Sequence, residues 1–142
     1  MAMTYGDVYV AHVSMGANKQ QCLNAFLEAE RYNGVSLIIA YSPCIAHGVN
    51  LQKCMQEERF AVESGHFPLF RFNPTLKTQG KNPFILDSKT PTLPLQDFYK
   101  RENRFSVVQA DNEWLEKAQA DIAKRYALYQ KLADLFEENN GE

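Results

Sequence analysis

Cys44 is the side chain in this sequence with the widest choice of chemistry. It follows Pro43 in a loop-like segment, 42–48, where a thiolate could ligate iron or act as a nucleophile if its pKa were lowered. His47 lies on the same segment and could donate a proton or bind a phosphate. From the residues alone, a buried inert thiol and an ordinary hydrogen-bonded histidine are also open interpretations.

The other cysteines and histidines have less distinctive surroundings. Cys22 and Cys54 fall within predicted helices and are expected to be small apolar fillers. An odd set of three cysteines without a CxxC pair argues against a disulfide framework and against a self-contained zinc site. His12 lies inside a predicted strand and His66 opens a turn, so both are expected to be structural.

Most familiar catalytic signatures are missing from the sequence. It contains no GxSxG, P-loop, GxGxxG or HExxH motif. A group of phenylalanines could stack on a base, but no basic residues are interleaved as nucleic-acid binding would require, so a packed core is predicted for them. These residues are Phe67, Phe70 and Phe72. The chain by itself is expected to be catalytically incomplete.

The N-terminal half is patterned as a βαβ unit. Residues 8–13 are rich in β-branched and aromatic types, and 18–32 have apolar positions at helical spacing after a capping Asn18. Residues 35–41 form a near-continuous apolar run, which is typical of a central parallel strand covered on both faces. Ligands gather at the carboxyl ends of parallel strands, so Cys44 is expected at the productive edge of an α/β sheet.

The next part of the chain is more irregular. A helix over 51–64 and a short strand over 67–72 are predicted, with Arg71 facing away from the phenylalanines. The proline-rich segment 73–94 is expected to be an irregular arm that could wrap a partner surface. Three arm lysines could grip an anionic cofactor tail, although such lysines usually face water; they are Lys77, Lys81 and Lys89.

The C-terminal segment is predicted to be helical. Residues 95–110 have some helical character, and 112–138 is the clearest helix, capped by Asn112 and ended by 139–141. Its apolar stripe is expected to pack on its own domain rather than on a partner. The stripe consists of Leu115, Ala118, Ile122, Tyr126, Tyr129, Leu132 and Phe136.

Composition predicts one soluble globular domain. The chain has 142 residues, 45% of them hydrophobic, with 15 basic and 17 acidic side chains for a net charge of −2. Such a chain has no basic field to attract nucleic acid or anionic lipid. The longest apolar run, 37–40, is far too short to cross a bilayer, and the N-terminus lacks signal-peptide features. We therefore expect a cytoplasmic protein without nucleic-acid or membrane partners.

Ordered motifs extend along nearly the whole chain. They are MTYG at 3–6, VYVA at 8–11, SMGAN at 14–18, PCIxHG at 43–48, PLFRFNP at 68–74 and GKNPFxLDSK at 80–89. Together they resemble the C-terminal end of the single-chain pyruvate:ferredoxin (flavodoxin) oxidoreductases. The resemblance implies that residues 1–74 are the C-terminal half of a thiamine-diphosphate-binding domain, a parallel sheet flanked by helices, and that 75–142 are a C-terminal extension.

The resemblance also implies a function. The family oxidatively decarboxylates pyruvate on thiamine diphosphate and Mg²⁺, gives the acetyl group to coenzyme A, and passes electrons through [4Fe-4S] clusters to ferredoxin or flavodoxin. A homodimer is expected. Cys44 matches the fourth cysteine ligand of the cluster nearest the thiamine, whereas the other three cysteines and the thiamine motif have no match here. Ala46 stands where family members commonly carry Asn, so polar contacts around the cluster are expected to differ.

The missing motifs, and an N-terminal segment that resembles a helix interior, lead us to expect a fragment or truncated copy that is inactive alone. Two alternatives from other classes remain. The first is a non-catalytic α/β docking or assembly module, a degenerate paralogue. A thiol-dependent enzyme using Cys44 and His47 is the second, weakened because the two lie close together on one loop without an adjoining carboxylate.

Overall fold

A four-stranded mixed sheet lies at the centre of the fold. A computed structural model describes residues 1–135 and, at position 47, the backbone alone. The strands lie in the order β2-β1-β3-β4, with β1 and β2 parallel and β3 antiparallel to both of its neighbours. They are β1 (Tyr9–Val13), β2 (Ser36–Ala40), β3 (Phe70–Phe72) and β4 (Phe84–Leu86). The α/β class is confirmed, but the sheet that was expected to be parallel is mixed, because β3 runs antiparallel to β1 and to β4.

The helices follow the predicted order with altered ends. They are α1 (Lys19–Arg31), α2 (Cys54–Glu63), α3 (Thr75–Thr78), α4 (Leu95–Tyr99) and α5 (Asn112–Asp134). Short 3-10 turns occur at Ala2–Tyr5, Ile45–His47, Leu51–Lys53 and Asn103–Phe105. None of the helices within residues 1–135 combines the length and apolarity needed to cross a membrane.

Helix capping was predicted well at α1 and less well at α5. The side chain of Asn18 accepts the backbone N–H of Gln21 at 2.9 Å, which confirms the predicted cap. At α5 the cap is Asp111, whose carboxylate accepts the N–H of Trp114 at 2.9 Å, so the prediction of Asn112 is wrong by one residue. The predicted C-terminal end of this helix, including Phe136, lies outside the described residues.

The two faces of the sheet bury different cores. Alternate residues of β1 point toward α1, where Tyr9, Ala11 and Val13 pack with Cys22 and Ala25. The opposite face packs against α5, which confirms that this helix covers its own domain. That core contains Val10, Phe70, Phe72 and Phe84, with Tyr129 and Leu132 against them. A third core joins α2, α4 and α5 and consists of Ala61, Leu95, Phe98, Tyr99, Leu115 and Ile122.

Strand β2 is an edge strand, which contradicts its prediction as a central, covered strand. Within the described residues it pairs with β1 alone, and Leu37 and Ile39 remain 41% and 39% exposed. The apolar pattern correctly predicted a strand, but a pattern cannot specify which segment covers it. The chain after β2 returns through α2 to the far side of β1, and this path leaves β2 at the edge.

The segment 73–94 is more ordered than predicted. It contains α3 and a strand, β4, that pairs with β3 and buries Phe84. The Asn82 amide donates to the carbonyls of Leu132 and Ala133 at 2.8 and 2.7 Å, which ties the arm to α5. The prediction of an irregular arm is therefore wrong for β4. This strand has only three residues, too few to show the alternating pattern by which a strand is predicted from sequence. The predicted domain division at 74/75 stays a prediction, although the sheet continues across it.

Candidate functional site

Cys44 lies on an exposed loop at the carboxyl end of the parallel β1–β2 pair. β2 ends at Ala40, and Cys44 precedes the 3-10 turn Ile45–His47 as its N-cap in extended conformation. Its thiol is free and exposed, while Pro43 and Val49 are buried and anchor the loop on either side. The placement predicted from the sequence is thus observed, and the role of the thiol as a metal ligand stays a prediction.

Tyr41 connects this loop to the C-terminal part of the chain. Its backbone N–H donates to the carbonyl of Val13 at 3.0 Å, which extends the β1–β2 pairing by one residue. Its hydroxyl donates to the carboxylate of Glu102 at 2.9 Å and accepts from Arg104 at 3.3 Å. Burial and the adjacent Glu102 raise the pKa of Tyr41, so the phenol stays protonated and remains a donor.

The remaining cysteines differ in their surroundings: Cys22 is a core residue, whereas Cys54 is partly buried and contacts the carboxylate of Glu58. Cys22 lies on the face of α1 that packs against β1, and burial raises the pKa of its thiol. Cys54 is partly buried, and burial together with the nearby Glu58 raises its pKa as well. Among the side chains that the structure describes, no group of three or more His, Cys, Asp or Glu residues is placed to hold a metal ion. A metal centre at Cys44 would therefore need ligands from outside the described residues.

The histidines occupy aromatic surroundings. His12 stacks between Phe67 and Phe70, with ring centroids 4.7 and 4.3 Å away, and burial lowers its pKa. His66 is enclosed by the rings of Tyr41, Phe98, Tyr99 and Phe105. The backbone of His47 belongs to the turn that follows Cys44, and its side chain lies outside the described part of the structure.

The surroundings of His66 predict a pH dependence of stability. Burial, with the nearby charges of Arg104 and Arg125, lowers the pKa of His66 from 6.5 to about 4. The unfolded chain therefore takes up this proton at higher pH than the folded chain, and stability is lost as the pH falls from 6.5 toward 4. We expect a loss of about 2 kcal/mol, after allowance for partial exposure of the ring.

The variant His66→Phe isolates this effect. A phenyl ring fits the aromatic enclosure and cannot take up a proton, so its unfolding free energy should fall less between pH 6.5 and 4 than that of the original chain. Urea titrations of both chains at each pH measure the difference. Equal losses in the two chains would assign the acid sensitivity to carboxylates elsewhere.

A second loop at the same sheet edge follows β1. Here the carboxylate of Glu58 on α2 accepts the N–H of Gly16 at 2.7 Å and the hydroxyl of Ser14 at 3.2 Å. A Cβ at Gly16 would lie 2.3 Å from the carbonyl oxygen of Met55, so only glycine allows this approach. Gly16 of the SMGAN motif is therefore needed for the close approach of α2 to this loop. Its hydrogen bond to Glu58 was not predicted.

An ion network on the α1 face of the sheet was also missed. Arg71 donates to both carboxylate oxygens of Asp87 at 2.9 and 2.8 Å and pairs with Glu28 on α1. Tyr9 donates to Glu28 at 3.0 Å, and Gln21 donates to Asp87 at 3.0 Å. The hydrogen bonds to Asp87 raise the pKa of Arg71, which stays charged. The alternation of 70–72 did predict that Arg71 faces away from the phenylalanines; its partners are distant in sequence.

A cleft of about 370 Å³ opens beside the start of α1. It is lined by residues of the SMGAN motif, of α2 and of the segment 87–92, among them Asn18, Glu63 and Asp87. Lys89 also lines it, while Lys77 donates to the carbonyl of Gly6 at 3.0 Å. The arm lysines Lys77, Lys81 and Lys89 are all exposed, as predicted for solvated side chains.

Comparison with known proteins relates the chain to large oxidoreductases. It is 54% identical over 138 residues to a pyruvate-flavodoxin oxidoreductase of Trichormus variabilis and 49% identical over 139 residues to a pyruvate:ferredoxin oxidoreductase of Moorella thermoacetica. Each alignment covers 94% of this chain and 12% of the relative. The chain is homologous to one segment of the pyruvate-flavodoxin and pyruvate:ferredoxin oxidoreductases. No protein-family model matches it.

The same segment also occurs in a relative with a different name. A mitochondrial pyruvate dehydrogenase [NADP(+)] of Euglena gracilis is 45% identical over 141 residues, which cover 94% of this chain and 8% of that protein. The chain therefore spans about a tenth of the length of the curated relatives it matches. The relatives are named as enzymes that act on pyruvate, and their names differ in the electron acceptor.

Proposed function

We propose that this chain is the part of a pyruvate:ferredoxin (flavodoxin) oxidoreductase that supplies one ligand to a [4Fe-4S] cluster. The whole protein would oxidatively decarboxylate pyruvate to acetyl-CoA and CO₂ and pass the electrons to ferredoxin or flavodoxin. The single observation that carries this proposal is the free, exposed thiol of Cys44 at the carboxyl end of β1 and β2, in a chain homologous to these enzymes.

The donor chemistry at Cys44 fits one corner of such a cluster. A cysteine thiolate is the usual protein ligand of iron-sulfur clusters, which carry single electrons when bound. Because Cys44 is exposed and the described side chains assemble no other ligand set, three further thiolates would come from the rest of the protein. The contribution of this chain is to hold the Cys44 thiolate at a set position on the sheet edge.

Other parts of the proposal rest on the family resemblance. Residues 1–74 would complete the thiamine-diphosphate-binding domain and 75–142 would form its C-terminal extension. None of the residues of this chain is assigned to thiamine diphosphate, Mg²⁺, pyruvate or coenzyme A. The homodimer and the cytoplasmic location belong to the same proposal.

A non-catalytic docking module is the second candidate, and one observation favours it. Apolar side chains are exposed on both α1 and the edge strand β2, with Leu23 and Phe26 53% and 54% exposed. Exposed apolar side chains on neighbouring elements are typical of a protein interface. The same surface would also be covered inside a larger enzyme. A measurement of enzymatic activity is therefore needed to distinguish a docking module from a segment of the enzyme.

An exchange experiment tests the proposed function. The matched segment of the Trichormus variabilis pyruvate-flavodoxin oxidoreductase is replaced by this chain, and the product is called the chimera below. Because the chain matches that segment along nearly its full length, we expect pyruvate-dependent flavodoxin reduction within about tenfold of the parent rate, a barrier change of about 1.4 kcal/mol or less.

The same exchange with the Moorella thermoacetica segment is the matched control for the effect of swapping alone. If that control is active and our chimera is folded but inactive, the chain is a degenerate docking module and the enzymatic proposal is rejected. Circular dichroism and size-exclusion chromatography establish that each protein is folded before activity is compared.

A further inference from the structure

The segment Arg101 to Arg104, here called the 101–104 clamp, contacts the residue that leads into the Cys44 loop. Glu102 is 1% exposed, accepts the Tyr41 hydroxyl at 2.9 Å and is paired with Arg104. Arg104 in turn donates to the Tyr41 hydroxyl at 3.3 Å. Cys44 is three positions after Tyr41, so their Cα atoms are at most about 11 Å apart.

The clamp also contacts the far end of the same loop. Gly48 closes the turn after Cys44 with φ +79, a conformation that favours glycine. A Cβ at Gly48 would lie 2.4 Å from the side-chain nitrogen of Asn103, so the loop backbone is packed directly against the clamp. Both ends of the Cys44 loop thus rest on neighbouring residues of one segment.

The clamp itself is attached to α2. Arg101 lies 3.6 Å from the carboxylate of Glu57 and places its guanidinium 3.9 Å from the centre of the Phe60 ring. Glu57 is 4% exposed, and burial raises its pKa. Helix α2 and the Cys44 loop are therefore bridged by two buried carboxylates and two arginines.

Packing alone does not account for these charges. Burying a carboxylate is costly, and well-packed apolar residues usually serve a core equally well or better. Charged hydrogen bonds, by contrast, orient their partners strongly and act electrostatically on nearby groups. The network contacts Tyr41 and lies next to Asn103, which packs against Gly48, so its orienting effect falls on the loop that carries Cys44, the one exposed cysteine of the described residues.

We propose that the 101–104 clamp is a positioning element for Cys44. It holds the loop from both ends, and the Glu102–Arg104 pair sets the electrostatic environment of the thiolate. The first half of this inference stands on the geometry of the chain, whereas the second half rests on the proposed function, because it concerns the cluster that Cys44 would ligate.

Hydrogen exchange on the full 142-residue chain tests the positioning half without any cluster. Glu102→Gln and Tyr41→Phe should each speed exchange of the amides in 41–49 at least about fivefold, through local opening of the loop. Glu113→Gln, which breaks an exposed ion pair with Lys117, and Tyr5→Phe are the matched controls and should leave these amides unchanged. Unchanged exchange in both Glu102→Gln and Tyr41→Phe would overturn the positioning role.

The reduction potential of the cluster in the chimera tests the electrostatic half. Glu102→Gln removes a negative charge and should shift the potential upward, whereas Arg104→Gln removes a positive charge and should shift it downward. If the two residues have only a structural role, the reduction potential should shift in the same direction in both variants or not at all. Either result would overturn the electrostatic role. A chimera without cluster iron would reject the proposed function and this half with it, while the exchange data still decide the positioning half.

Discussion

Changing Cys44 to alanine in the chimera is expected to remove about four iron atoms per chain, one whole [4Fe-4S] cluster. The reason is the exposure of the thiol on a loop whose two ends are anchored, in a part of the chain without a substitute ligand set. Loss of this cluster should also abolish its electron paramagnetic resonance signal and slow flavodoxin reduction, while the iron of other clusters stays bound. Iron analysis and spectra of the purified protein measure the change.

Cys54→Ala is the matched control for this prediction. Cys54 is the other cysteine that is not fully buried, and it contacts Glu58 rather than the Cys44 loop. Its substitution should leave the iron content at the level of the chimera. An unaltered iron content in Cys44→Ala would remove Cys44 from the ligand set and with it the central role proposed for this chain.

Changing Arg71 to methionine is expected to destabilise the chain by about 3 kcal/mol. Arg71 pairs with Glu28 and makes a two-bond contact with Asp87, and its side chain is only 14% exposed. Methionine would leave two acidic groups close together without their cation, so both are poorly solvated and repel each other. Urea denaturation of the 142-residue chain at pH 7 measures the loss.

Two further variants make this prediction specific. Lys117→Met breaks an ion pair whose side chains are 72% and 79% exposed, and its cost should stay below about 1 kcal/mol. Adding Glu28→Gln and Asp87→Asn to Arg71→Met removes the stranded charges and should restore part of the lost stability. A cost below about 1 kcal/mol for Arg71→Met alone would show that the network is solvated and contributes little.

Local structure was largely predictable because its causes are local. The strand over 8–13, the helix over 18–32 and its Asn18 cap all depend on side-chain types and on contacts a few residues apart. The position of Arg71 on the face opposite the phenylalanines followed from the two-residue period of a strand. The loop position of Cys44 followed from its place after an apolar run that was predicted to be a strand, whereas the exposure of its thiol is a finding of the structure and excludes the buried thiol.

The errors share a different cause. β2 was predicted to be central because its apolar run requires cover, but which segment supplies cover depends on the route of residues 49–69. β4 was overlooked since three residues between prolines give little periodic signal, and its stability comes from pairing with β3. Glu102 lies in a segment with weak helical pattern, and nothing local indicates that it is buried beneath Tyr41.

The amino-acid sequence by itself determined the α/β class, the order of the main elements, the family resemblance and the choice of Cys44 as the candidate ligand. Only the tertiary structure decided that β2 is an edge, that Arg71 joins Glu28 and Asp87, and that the 101–104 clamp supports both ends of the Cys44 loop. The physical reason is sequence separation. Propensity, capping and periodicity act within one element, whereas the partner of a buried charge or an unpaired strand is chosen by the folded chain as a whole.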